Sequence, residues 1–124
     1  MNIKPAFDHW ISQILEEEKP GPDIIAWYFG IFETETGFTI YLSGSAAYDP
    51  EDDDWASLTD FEPADKYLAI ELPESENPGW EVILASVKFT ITTFTETGAF
   101  QSSFLNKSVA ICTGFDDGDL ERIR

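Results

Sequence analysis

The residues best equipped for chemistry lie in one run, residues 48–57, which reads YDPEDDDWAS. Asp49, Glu51, Asp52, Asp53 and Asp54 surround a single proline, and Trp55 follows them. Hard oxygen ligands of this kind suit calcium. Paired carboxylates with separated pKa values suit general acid–base work. An exposed acidic patch flanked by aromatics suits a basic protein partner, because the charges speed encounter and the rings anchor it. Calcium fits poorly: neither this run nor DDGD at 116–119 has the D-x-[DN]-x-[DN]-G-x₅-E spacing, and adjacent carboxylates on a simple loop do not converge on one ion. Catalysis fits poorly as well, since acids in a polar loop stay ionised. A general acid needs burial or a like charge to raise its pKa, and only Trp55 offers apolar surroundings.

The surface reading remains. Between 49 and 65 the chain carries eight acids (Asp49, Glu51, Asp52, Asp53, Asp54, Asp60, Glu62 and Asp65) and no base. That is a third of the 24 acids in a short stretch. With Tyr48 and Trp55 they form the candidate partner-binding set. Within it, Trp55 is expected to anchor the loop to the body while Asp52, Asp53 and Asp54 face outward.

The other reactive residues have plainer readings. His9 is the only histidine and lies off the apolar stripe of its helix, and Cys112 is the only cysteine, inside the apolar run SVAICTGF. A lone His and a core-like Cys supply neither a zinc set nor a nucleophile–base pair. LSGSA at 42–46 lacks the glycine spacing of a nucleophile elbow, and no phosphate-binding glycine loop is present. No catalytic residue, metal ligand set or cofactor is therefore expected.

Charge narrows the partner. Twenty-four acids against seven bases leave −17 at pH 7. Phosphate recognition needs Lys and Arg clusters, so direct nucleic-acid binding is not expected, and an anionic membrane surface is disfavoured for the same reason. No segment has the form of a secretory leader and no apolar run spans a bilayer, so a cytoplasmic location is expected. One cysteine forbids an internal disulfide.

The elements that must position these residues follow from periodicity. Residues 5–18 carry Phe7, Trp10, Ile11, Ile14 and Leu15 at helical spacing, with Pro5 at the start and KPGP as the stop. Residues 24–32 are continuously apolar and aromatic, as in a central strand covered on both faces. ETETG at 33–37 reads as a five-residue turn into a second strand, 38–42, with Phe38, Ile40 and Leu42 inward and Thr39 and Tyr41 outward. The acidic connection 43–66 is pinned by Trp55, Leu58 and Phe61, and a third strand alternates over 67–72. Residues 78–97 are rich in threonine, which favours strand. Yet Trp80, Ile83, Leu84, Val87, Ile91 and Phe94 keep helical spacing between Asn77 as cap and Gly98 as stop, so a helix is predicted. A last strand covers about 108–113. The order α-β-β-loop-β-α-β over 124 residues describes a single α+β domain with a small, mostly antiparallel sheet and two amphipathic helices.

Two segments, YLSGSAAYDPEDDDWA (41–56) and GFDDGDLERI (114–123), resemble segments of small acidic bacterial immunity proteins, which neutralise a toxin encoded beside them by binding it. The resemblance implies an inhibitor that occludes a basic toxin domain, as an acidic protein can fill a nuclease's phosphate site. The alternatives are a structural or regulatory homo-oligomer and, less favoured, a calcium-binding protein or a carboxylate-dependent enzyme.

Overall fold

The apolar stripe of the first segment becomes α1, Lys4–Glu17, in a computed structural model that describes residues 1–124. Pro5 lies in its first turn, where its fixed φ is already helical and a missing N–H costs nothing. α1 buries Phe7, Trp10, Ile11 and Ile14, and the chain turns extended at Glu18.

The apolar run that follows forms β1 (Ala26–Thr34), paired antiparallel with β2 (Gly37–Ser45). The pairing continues to Thr34↔Gly37. The connection is thus a tight turn over Glu35 and Thr36 rather than the five-residue turn expected, because ladder hydrogen bonds extend through polar residues that carry no apolar signal. β3 (Tyr67–Glu71) pairs antiparallel with β2, and β4 (Ala110–Phe115) lies parallel to β1 on its other side. A two-residue strand, β5 (Glu121–Arg122), completes the order β3-β2-β1-β4-β5. The result is a small α+β domain with a mostly antiparallel sheet.

The threonine-rich segment is α2, Trp80–Phe94. Thr90 Oγ1 donates to the Ser86 carbonyl at 2.8 Å and Thr95 Oγ1 to the Thr92 carbonyl at 2.6 Å. Such back-bonding lets threonine hydroxyls sit on a helix without an unpaired donor. The ends differ from expectation. Gly79, not Asn77, is the N-cap, and the helix stops at Phe94 with Thr95 as its cap. Gly98 instead opens a further short helix, α3 (Gly98–Gln101), whose cap is the Thr97 hydroxyl. No helix is long and apolar enough to cross a membrane.

Both long helices lie on one face of the sheet. There Trp27, Phe29 and Ile31 of β1 join Phe38, Ile40 and Leu42 of β2, Ile111 of β4 and the buried stripes of α1 and α2 in one core. β1 is also covered on its other face, as its unbroken apolar run predicts. A second cluster there holds Ala26, Tyr28, Ala110, Cys112 and Trp55. Trp55 comes from the acidic connection, so that connection folds back over the sheet's second face.

Candidate partner-binding site

Two glycines set what this second face can carry. Gly30 stands beside Tyr41 on β2 and Gly114 on β4. A Cβ at Gly30 would collide with the Tyr41 ring, and one at Gly114 would come 2.5 Å from the Asp119 carbonyl oxygen. Without those side chains, the Tyr41 ring crosses β1 and the β4–β5 turn folds back on β4. The Tyr41 hydroxyl then donates to the Asp116 carboxylate in that turn, and the Tyr28 hydroxyl donates to the Gly114 carbonyl at 3.0 Å. The two tyrosine rings meet edge to face with centroids 5.8 Å apart. Burial pushes both phenols well above their ordinary range, aided by the Asp116 charge at Tyr28 and by the hydrogen bond to Asp116 at Tyr41. They therefore act as neutral donors throughout the physiological range. Burial likewise pushes the Cys112 thiol up to about 11, against the pull of Arg122. It is an inert core side chain, as expected.

The loop closes over this arrangement. Asp52 caps a 3₁₀ turn, Asp53–Ser57, by accepting from the Asp54 N–H at 3.0 Å. The turn drives Trp55 down onto the sheet, where it is only 4% exposed. Its ring packs edge to face on Tyr48 at 5.2 Å, and the Arg122 guanidinium lies 5.5 Å from the Tyr48 ring. Trp55 Nε1 has no protein acceptor, so shape and area hold the ring in place. Asp60 fastens the loop's other end: its carboxylate accepts from the Ala46 N–H at 2.8 Å, beside the bridge between Gly44 and Phe61. Leu58, expected to pin the loop, is 54% exposed; the work falls to Trp55 and the half-buried Phe61.

A cavity of about 270 Å³ opens where loop and turn meet, lined by Tyr28, Tyr41, Asp53, Ser57, Asp116 and Leu120 among others. That lies just under the roughly 300–1,000 Å³ of small-molecule sites and leaves room for one long side chain. It offers two carboxylates, two phenols and no base. Next to it, Phe32, Tyr41 and Tyr67 form an aromatic cluster, and Lys66 Nζ lies 5.3 Å from the Tyr41 ring and 5.5 Å from the Tyr67 ring. The chain's own cations already stack on tyrosines of this face, the favourable arrangement for ammonium or guanidinium over a ring.

The sequence-derived set divides accordingly. Asp53 reaches the cavity, and Asp49, Glu51, Asp52 and Asp54 are exposed in the same loop. Trp55 is closed off beneath the loop and Tyr48 is half-buried against it. Asp60 is tied into the loop's base, Glu62 pairs with Lys66, and Asp65 accepts from Trp10 Nε1 through its backbone carbonyl at 2.8 Å. No three His, Cys, Asp or Glu side chains come together as metal ligands would. Sequence reasoning missed Tyr28, Tyr41 and Asp116, which are distant in the chain and joined only by β-pairing. The outward alternation of Tyr41 and the acidic turn after the last strand were the available signals. The two segments of the immunity-type resemblance are spatial neighbours through Tyr41–Asp116 and Tyr48–Arg122.

Compared with models of known families, with curated proteins and with solved structures, the chain matches none.

Proposed function

We propose that the protein works by binding a basic protein in the cytoplasm, as an immunity-like inhibitor that covers a cationic site on a toxin. The observation that carries this reading is the cavity flanked by Asp53 and Asp116, lined by neutral phenols and lacking any base, on a chain of net charge −17. Exposed Asp49, Glu51, Asp52 and Asp54 extend the same field and raise the encounter rate. A Lys or Arg side chain entering the cavity finds carboxylates and aromatic faces at once. The neutral phenols donate hydrogen bonds and offer no low-pKa base or nucleophile, which favours binding over catalysis.

Affinity capture from the source cells tests this, with wild-type protein and the Asp53→Asn/Asp116→Asn variant immobilised side by side. The expected result is a basic protein retained by the wild type at low salt and released early from the variant. Retention of only acidic or neutral proteins, or equal retention by both, contradicts the reading. A gene for a large secreted protein with a basic C-terminal domain beside this one would strengthen it.

A further inference from the structure

Helical spacing places Trp80 in the core stripe of α2, yet in the fold it is 56% exposed. The reason is local. Trp80 opens the helix, and Trp80, Leu84 and Lys88 follow one flank at four-residue spacing, beside the line Ile83–Val87–Ile91 that enters the core. That flank faces the β4–β5 turn. The Trp80 ring stands edge-on to Phe115, with centroids 6.5 Å apart and planes at 89°. Between helix and turn runs a groove of about 830 Å³ whose apolar surface comes from Phe32, Trp80, Leu84 and Phe115. Its rim comes from Glu33, Asp116, Asp117, Asp119 and Glu121. Lys88 pairs with Glu121 at 3.0 Å. The other four carboxylates have no ion pair.

We propose that this groove docks a segment of the basic partner in which an apolar side chain sits beside a Lys or Arg. The apolar side chain seats on Trp80 and Leu84, and the cation meets Asp116, Asp117 and Asp119. Charge decides between occupants. A second copy of this chain would bring another −17 to a rim already negative, whereas a cationic segment neutralises it. The groove shares Phe115, Asp116 and Gly118 with the cavity on the sheet's second face. One partner therefore reaches both, with a cation in the cavity and an apolar anchor in the groove. Exposed tryptophan in a partly walled groove is the type of residue that dominates interface energetics. The inference rests on the proposed binding of a basic protein and adds what that partner must present besides charge.

Fluorescence anisotropy with two short labelled peptides of equal positive charge tests it. One contains only lysine and glycine; the other has leucine in place of some glycines. The leucine peptide is expected to bind wild type about tenfold more tightly, since one well-seated apolar anchor contributes on this scale. Trp80→Ala is expected to abolish that advantage while moving the lysine–glycine peptide by less than about twofold. Asp117→Asn/Asp119→Asn is expected to weaken both peptides and flatten their salt dependence. Equal binding of the two peptides by wild type, or an advantage that survives Trp80→Ala, overturns the groove and leaves the basic-partner reading standing. Failure of both peptides to bind at low salt overturns that reading and the groove with it. A sedimenting dimer of the free chain that Trp80→Ala dissociates assigns the groove to a second copy and also overturns the proposal.

Discussion

Replacing Trp55 by alanine should destabilise the whole fold, because this ring ties the acidic loop to the sheet. The ring is 4% exposed and fills the space between the loop and a floor of Ala26, Ala110 and Cys112, with Tyr28 and Tyr48 at its sides. The floor belongs to β1 and β4 and cannot collapse into the gap, while the loop above can move part of the way. Truncating a buried tryptophan costs roughly 3–5 kcal/mol, and partial closure by the loop places this site at about 3 kcal/mol. For a chain of this length that is a fall of roughly 10 °C in melting temperature. Trp55→Phe is the informative control. Nε1 has no protein acceptor, so phenylalanine gives up volume but no hydrogen bond and should cost about 1 kcal/mol. At Trp10 the same change also breaks the 2.8 Å bond to the Asp65 carbonyl, and should cost about 1 kcal/mol more. Urea unfolding followed by far-UV circular dichroism measures all three without depending on tryptophan emission. A Trp55→Ala variant within about 0.5 kcal/mol of wild type would refute the reasoning, because surface substitutions behave that way. So would rapid hydrogen exchange confined to 46–60 with an unchanged global transition, since the loop would then lie outside the cooperative unit.

Tyr41→Phe removes the hydroxyl that holds Asp116 and should cost about 1–2 kcal/mol by urea unfolding; no loss would mean the bond does not order the turn. Stability should fall as pH rises from about 9, because Cys112 ordinarily titrates near 9.0 and is pushed up to about 11 in the fold. The unfolded chain loses that proton first, so the stabilising contribution is complete below pH 9 and is lost towards pH 11. Cys112→Ala should show a shallower decline over that window, and an identical decline would show that the thiol is not the group responsible. Iodoacetamide should label native Cys112 far more slowly than the urea-unfolded chain, and equal rates would contradict its burial.

Much of the architecture was legible because it is local. The stripe Phe7–Trp10–Ile11–Ile14 defines α1, and the unbroken run through Trp27, Tyr28 and Phe29 marks a strand buried on both sides. In α2 period outweighed threonine propensity, because Thr90 bonds its hydroxyl back onto the helix and Thr95 does so from the C-cap. The less legible features depend on contacts between distant residues. Nothing near 110–115 says that β4 will lie parallel to β1, and β5 is two residues long with no periodic signal. Hence Tyr28, Tyr41 and Asp116 could not be grouped in advance. Trp80 carried a core-like spacing, but its position at the helix end, against the β4–β5 turn, left it at the surface. The acidic loop was recognisable as a unit and Trp55 as its peg. Which acids face the cavity was not, since that depends on where Asp52 starts the 3₁₀ turn.

The central claim is that a steering field of carboxylates brings a basic protein to this face, and association kinetics test it most directly. The captured partner is mixed by stopped flow with wild type and with the Asp52→Asn/Asp53→Asn/Asp54→Asn variant, at about 50 mM and about 200 mM salt. Asparagine keeps the cap at position 52, so the variant changes charge and little else. Association by the variant should be about tenfold slower at low salt, with the two rates converging at high salt. Equal rates and equal salt slopes would contradict the account.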